Sequence, residues 1–240
     1  MEDIDPIRCR PVFADAIEQD LAWLGMNWDG PVRVQSAHLA EYAAILERLS
    51  DEGLAYPCFC TRSDVARAAH AAHGPDGAPL YPGTCRNLLP AVRQARLAQG
   101  GPHAWRLDVA AAQARTGPLS FHEAGQGRIA CDPAAFGDVV LGRKDAPASY
   151  HLCVTHDDAV QGVTLVTRAE DLRAATSIHR LLQALLGWPE PGYAHHKLLI
   201  DAQGRRLAKR DGAPALRDLR AAGVLPKDVL LRARSAFGSG

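Results

Sequence analysis

Three cysteines in the first part of the chain have a spacing that a metal could use. Tyr56-Pro-Cys58-Phe-Cys60 sets two thiols two residues apart, so in an extended segment both point to one face. A third follows in Tyr81-Pro-Gly-Thr-Cys85, after a tight turn. Three thiolates are one ligand short of the tetrahedron zinc takes in structural sites, and Tyr81, His70 and His73 are the neighbours that could complete it. Tyrosine is an unusual ligand, so donor chemistry alone favours the histidines. The plainer alternative is three small side chains in a core, which is how the isolated Cys9, Cys131 and Cys153 read.

A second cluster carries charge. The run Gly204-Arg-Arg-Leu-Ala-Lys-Arg-Asp-Gly212 places Arg205, Arg206, Lys209 and Arg210 in nine residues, after an apolar stretch and a turn. Such a run is either a solvated loop or a site that meets an anion. The wider distribution favours a directed contact: residues 1–60 hold four Arg/Lys against eleven Asp/Glu, and residues 201–240 hold nine against four.

Composition bounds what these groups can belong to. The 240 residues are 47% hydrophobic, enough for one large core or two modest ones, and 27 basic residues balance 27 acidic ones. Zero formal charge argues against a protein that coats nucleic acid nonspecifically. No apolar run approaches the roughly 20 residues that cross a bilayer, and the acidic opening Met1-Glu-Asp-Ile-Asp-Pro6 is unlike a signal peptide. A cytoplasmic protein with reduced thiols is expected.

The elements that must position these groups alternate between helix and strand. Ile17, Leu21 and Leu24 recur at helical spacing over Val12–Gly25, and Leu39, Tyr42, Leu46 and Leu49 share a face in a helix opened by Ser36 and ended by Gly53. Residues 61–100 read as short Ala-rich helices around a Gly/Pro-rich loop. Residues 104–145 read as a small module with strands at 105–109, 127–131 and 138–141. Strands are expected at 149–155, 163–168 and 197–200, a helix over 171–186 closed by Gly187, a turn at 201–204, and helices over 215–222 and 226–237. The order is that of an α/β domain interrupted by an insertion that carries the thiols.

Several stretches together resemble the glutamate-activating class I aminoacyl-tRNA synthetases. The opening is similar to their R-I-E-D-I-D-P segment. Ser149-Tyr150-His-Leu-Cys-Val-Thr-His-Asp157-Asp158, Gly162-Val-Thr and Arg168-Ala-Glu-Asp-Leu172 resemble their Y-x-L-x-V-V-x-D-D … G-V-T-x-V-x-R-G-x-D-L block. Arg206-Leu-Ala-Lys209-Arg210 is similar to their K-M-S-K-S signature, and Cys58-x-Cys60 with Tyr81-x-x-x-Cys85 to their Cys/Cys/Tyr/Cys zinc site, which moves Tyr81 ahead of the histidines.

The resemblance implies a Rossmann-like catalytic domain of mixed α/β class with a zinc-bearing α+β insertion and a short helical C-terminal region. The divisions expected are 1–56 and 147–200 for the two parts of the catalytic domain, 57–146 for the insertion and 201–240 for the signature loop and last helices. Only 30 residues follow Arg210, which is most similar to the shortened branch of the family. That branch implies ATP, with magnesium, as substrate and L-glutamate activated as its adenylate without tRNA. The glutamate then passes to queuosine at the wobble position of tRNA(Asp), on a monomer free of membranes.

By the same resemblance, Lys209 is the catalytic cation on the ATP phosphates with Arg206 and Arg210 beside it. Arg168 grips the side-chain carboxylate of glutamate, Glu2 pairs with its ammonium, Tyr150 closes the pocket, and Cys58, Cys60, Tyr81 and Cys85 hold zinc. Asp157 and Asp158 read as structural, and His195 and His196 as packing residues rather than nucleotide contacts. The family also has an H-I-G-H helix ahead of the segment that begins at Glu2, and none of the ten histidines here is followed two positions later by glycine. The expectation is a catalytic domain truncated at its N-terminus. A misplaced start or a fragment accounts for that, and the alternatives are a non-catalytic zinc- and RNA-binding remnant or a piece of a full glutamyl-tRNA synthetase.

Overall fold

The computed structural model describes residues 1–5, 7–68, 72–200 and 214–237. In chain order its helices are α1 (Pro11–Trp23), α2 (Leu39–Asp51), α3 (Arg62–Ala68), α4 (Pro90–Ala98), α5 (Val109–Thr116), α6 (Tyr150–Val160), α7 (Thr176–Leu186), α8 (Leu216–Ala221) and α9 (Pro226–Phe237). Its strands are β1 (Ala55–Cys58), β2 (Ala104–Leu107), β3 (Ser120–Glu123), β4 (Gly127–Ala130), β5 (Val140–Gly142), β6 (Leu165–Ala169) and β7 (Gly192–His196). The chain divides into two units, one made of Met1–Ser36 with His196–Gly240 and the other of Ala37–His195.

In the first unit, α1 begins on a proline, which has no N–H to lose at that position, and ends before Gly25, whose φ of +77° suits a glycine. The N-terminal residues are tied to the segment after α1: Ser36 donates from its backbone N–H and its hydroxyl to the Asp3 carboxylate, at 2.8 and 2.6 Å. Gln35 N–H donates to the Met1 carbonyl at 3.1 Å. Asp20 of α1 pairs with Arg220 of α8 at 3.3 Å, and Arg217 lies over the Phe13 ring.

The second unit is built on two sheets, one packed against α2 and α6 and the other against α7. One sheet runs β1-β2-β5 and is antiparallel, with Cys58 opposite Ala104 and Ala55 opposite Leu107. The other runs β4-β3-β7-β6, in which β3 is antiparallel to β4 and parallel to β7, with Glu123 opposite Tyr193. Helix α7 is buried almost all round, from Thr176 to Leu186, and stops at Gly187 in the left-handed conformation. Helix α2 turns Tyr42, Leu46 and Leu49 inward as its spacing requires, and the Tyr42 hydroxyl donates to Asp157 at 2.8 Å. Gly142 packs so closely on Leu46 and Trp105 that a Cβ there would come within 2.9 Å of Leu46.

Three expected elements are corrected. Residues 149–155 form the start of helix α6, not a strand. Its β-branched and aromatic residues suit a strand, but Leu152, Cys153, Thr155 and Asp157 pack inward against α7 and α2, and Thr155 bonds back to the His151 carbonyl at 2.7 Å. The strand near 197–200 lies earlier, at Gly192–His196, because Tyr193 and His195 carry the groups that the sheet interior partners, whereas Leu199 and Ile200 are exposed. The helix over 171–186 opens as a short 3-10 turn, Glu170–Leu172, before α7 starts at Thr176. The turn at 201–204 lies outside the described residues. Among the described residues no helix is long and apolar enough to cross a membrane.

Candidate active site

The end of β1 and the turn after Tyr81 bring the three thiols together, with the sulfurs of Cys58, Cys60 and Cys85 all within 4.8 Å of one another. Cys60 Sγ lies 3.5 Å from Cys85 Sγ and 3.7 Å from the Tyr81 hydroxyl. Four ligands about 2.3 Å from a tetrahedral zinc would have sulfurs about 3.8 Å apart, so the cluster has the dimensions of such a site. Burial pushes the Cys60 thiol up to about 11 and the Tyr81 phenol well above its usual value. A dication would reverse both shifts, since coordination removes the proton outright. Burial also acts to raise Cys85, but hydrogen bonds from Tyr81 and from the Phe59 N–H outweigh it and leave its thiol lowered. Of the other candidates for the fourth position, His73 is exposed and lies outside the cluster, and His70 lies outside the described residues.

One carboxylate clamps the two segments that carry these thiols. Buried Asp138 accepts from the Tyr56 hydroxyl, two residues before Cys58, and from Arg86, next to Cys85, at 3.1 Å. It also accepts from the Val109 N–H at 3.1 Å. Asp138→Ala would leave a buried hydroxyl and a buried N–H without acceptors, and is expected to destabilise the protein by about 2–4 kcal/mol in urea unfolding. A shift of under about 0.5 kcal/mol, the range of an ordinary surface change, would remove the clamp from this account.

Arg168, at the end of β6, is surrounded by hydrogen-bond acceptors. Its Nε donates to His195 Nε2 at 3.2 Å, one terminal nitrogen to His179 Nδ1 at 3.0 Å, and the other to Thr176 Oγ1 at 2.7 Å; the Tyr150 hydroxyl stands 3.4 Å away. Burial lowers His151 to about 4 and His179 well below the usual histidine range, with the neighbouring imidazole and Arg168 adding to the effect on His179. Both imidazoles are therefore neutral at neutral pH and can accept. Because Arg168 takes the Nδ1 lone pair of His179, that ring carries its proton on Nε2 and donates it to His151 Nδ1, 3.1 Å away.

His195 is fixed from its other side by Glu123. The carboxylate accepts the His195 backbone N–H at 2.9 Å and its ring Nδ1 at 2.8 Å, and both side chains are almost wholly buried. Burial alone would raise Glu123, yet the two hydrogen bonds from His195 hold it below the usual carboxylate range. Burial lowers His195, against the pull of Glu123.

The structure thus brings Arg168 and Tyr150 together, as it does the three cysteines and Tyr81. Glu2 is exposed and belongs to the other unit, where it lines a cavity with Asp3, Arg8, Arg10 and Phe13. Lys209, Arg206 and Arg210 lie outside the described residues. Asp157 has its structural partner in Tyr42, and it stands on a helix rather than a strand. His195 is interior, whereas His196 is exposed and bonded to the Lys197 carbonyl. The residues that sequence reasoning missed are Glu123, His151, Thr176 and His179. A signal existed for one of them: alternation in Ser120-Phe121-His122-Glu123 puts the carboxylate on the same buried face as Phe121.

Comparison with known proteins agrees with this architecture. Residues 1–237 match the family model for tRNA synthetases class I (E and Q), catalytic domain. Among similar proteins is the glutamyl-Q tRNA(Asp) synthetase of Rhodobacter capsulatus, 46% identical over 95% of this chain and 84% of that protein. The protein of the same name from Nocardia farcinica is 43% identical over 99% of this chain and 73% of its own length. A solved glutamate tRNA ligase from Elizabethkingia meningosepticum, in complex with its amino acid, shares the fold with a TM-score of 0.70 at 24% identity, over 88% of this chain and 45% of that one. Matched from end to end by sequence and over most of its length by fold, the chain belongs to the class I tRNA synthetases of the E and Q type, a family of ligases whose catalytic domain it carries.

Proposed function

We propose that the protein activates L-glutamate with ATP, without tRNA, and transfers it to queuosine at the wobble position of tRNA(Asp), acting as a cytoplasmic monomer. The observation that carries the reading is the state of Arg168. Its partners are neutral imidazoles and hydroxyls, so its positive charge is oriented but, among the described residues, meets no carboxylate directly. Such a cation suits a bidentate grip on the side-chain carboxylate of glutamate. Relatives 40–46% identical that bear the name glutamyl-Q tRNA(Asp) synthetase support the acceptor.

The other roles follow the chemistry of each residue. Tyr150 offers a hydroxyl beside Arg168, and Glu2 is assigned the substrate ammonium. Attack of the substrate α-carboxylate on the α-phosphate of ATP expels pyrophosphate and builds negative charge, which Lys209, with Arg206 and Arg210, would offset while magnesium accompanies the nucleotide. Zinc held by Cys58, Cys60, Cys85 and Tyr81 would supply structural cross-linking of the insertion. A cleft of about 850 Å³ within the second unit is lined by Cys58, Cys60, Arg106, Lys144, Tyr150 and His151, and so joins the thiol cluster to Tyr150.

The test is exchange of labelled pyrophosphate into ATP, with and without L-glutamate and in the absence of tRNA. Exchange that depends on glutamate, and falls by two orders of magnitude or more in Lys209→Ala, about the loss seen for a single transition-state donor, is the expected result. Absence of exchange, together with salt-dependent binding of tRNA, would replace this reading with an RNA-binding role.

A further inference from the structure

We propose that Glu123 and His195 form a positioning pair that aims Arg168 at the substrate carboxylate while leaving its charge available, a role that rests on the glutamate reading above. Neither residue lies in the stretches that carry the family resemblance. Both come from strands that the fold lays side by side, since β3 and β7 are parallel neighbours with Glu123 opposite Tyr193.

The argument is one of donors and acceptors. Glu123 accepts the backbone N–H and the ring Nδ1–H of His195, so the ring proton resides on Nδ1 and the Nε2 lone pair faces Arg168 Nε–H. A carboxylate bonded directly to Arg168 would occupy two of its N–H groups and neutralise it. The interposed imidazole occupies only Nε–H. Thr176 and His179 each take one hydrogen from the two terminal nitrogens, and each of those nitrogens has a second hydrogen. One of these reaches only to the Tyr150 hydroxyl at 3.4 Å, and the other has no partner among the described residues. Glu123 therefore fixes the ring, the ring fixes the guanidinium, and two N–H groups remain for a ligand that can only accept.

Glu123→Gln tests the pair because it keeps the shape and changes one acceptor into a donor. If the amide oxygen faces the backbone N–H of His195, the amide NH2 faces Nδ1, and the ring must move its proton to Nε2. That proton would then point at Arg168 Nε–H, donor against donor. Two readouts follow. Ring 15N shifts of labelled protein, with the His195 signal identified by its loss in His195→Gln, are expected to show Nδ1–H in the wild type and Nε2–H in Glu123→Gln. Calorimetric titration with L-glutamate is expected to show affinity weakened about tenfold or more in Glu123→Gln, with ATP affinity unchanged.

A wild-type ring protonated on Nε2 would overturn the proposal. So would unchanged glutamate affinity in Glu123→Gln when Arg168→Ala has lost it. Should Arg168→Ala bind glutamate as the wild type does, the glutamate reading itself fails and the ring shifts decide: inversion by Glu123→Gln supports the pair, and no inversion overturns it.

Discussion

Arg168→Ala is expected to weaken L-glutamate binding by about 2–5 kcal/mol, roughly thirtyfold to a few thousandfold, the range for truncating one partner of a buried charge-assisted contact. The size follows from the site rather than from the charge alone. Arg168 is already oriented by three acceptors, so little side-chain freedom remains to be lost when a ligand arrives. Arg168→Lys is expected to recover little of the loss, because an ammonium cannot satisfy His195, His179 and Thr176 while presenting paired N–H groups to a carboxylate. Calorimetry on the wild type and both variants checks this, with binding of glutamine as the control for charge. Equal glutamate affinity in wild type and Arg168→Ala would remove Arg168 from the amino-acid site.

Cys58→Ser is expected to have the larger effect on the fold. Structural zinc in small modules contributes an apparent binding energy of about 10–16 kcal/mol at neutral pH, and here the ligands join β1 to the turn beyond Tyr81, two segments otherwise held by the Asp138 clamp and by a small shared core of Tyr56, Cys58, Tyr81 and Cys85. Metal content measured by emission spectroscopy is expected to fall from about one zinc per chain to none. Proteolysis should then cut residues 61–100 first, because that stretch depends on the cluster and its helices are short and bury no side chain fully. If the variant kept one metal per chain, the proposed ligand set would be wrong.

Much of this fold was legible because its helices follow periodicity. Helices α1, α2, α8 and α9 lie within a few residues of their expected bounds, since spacing and the glycines and prolines at their ends act locally. Helix α6 was misread because its composition suits a strand, and only burial against α7 and α2 decides the matter. In the thiol cluster, spacing gave the cysteines and the resemblance gave Tyr81, which the structure brings to 3.7 Å from Cys60. The support of Arg168 was not legible. Glu123, His151 and His179 lie on three different elements, and nothing in the linear order says that β3 will lie beside β7 or that α6 and α7 will bring their imidazoles together edge to face.

The division of the chain into units has a consequence for its synthesis. Residues 37–195 form one uninterrupted stretch and contain both sheets, so this unit can close as soon as β7 leaves the ribosome. The first 36 residues cannot complete theirs until α8 has been made, because Asp20 of α1 finds its partner in Arg220, two hundred positions later. During that interval the apolar side of α1 has no helix to cover it, and Ile17 and Val12 stay exposed even in the finished fold. Translation thus leaves residues 1–36 waiting for partners made much later, and a chaperone that binds nascent chains would find a target there.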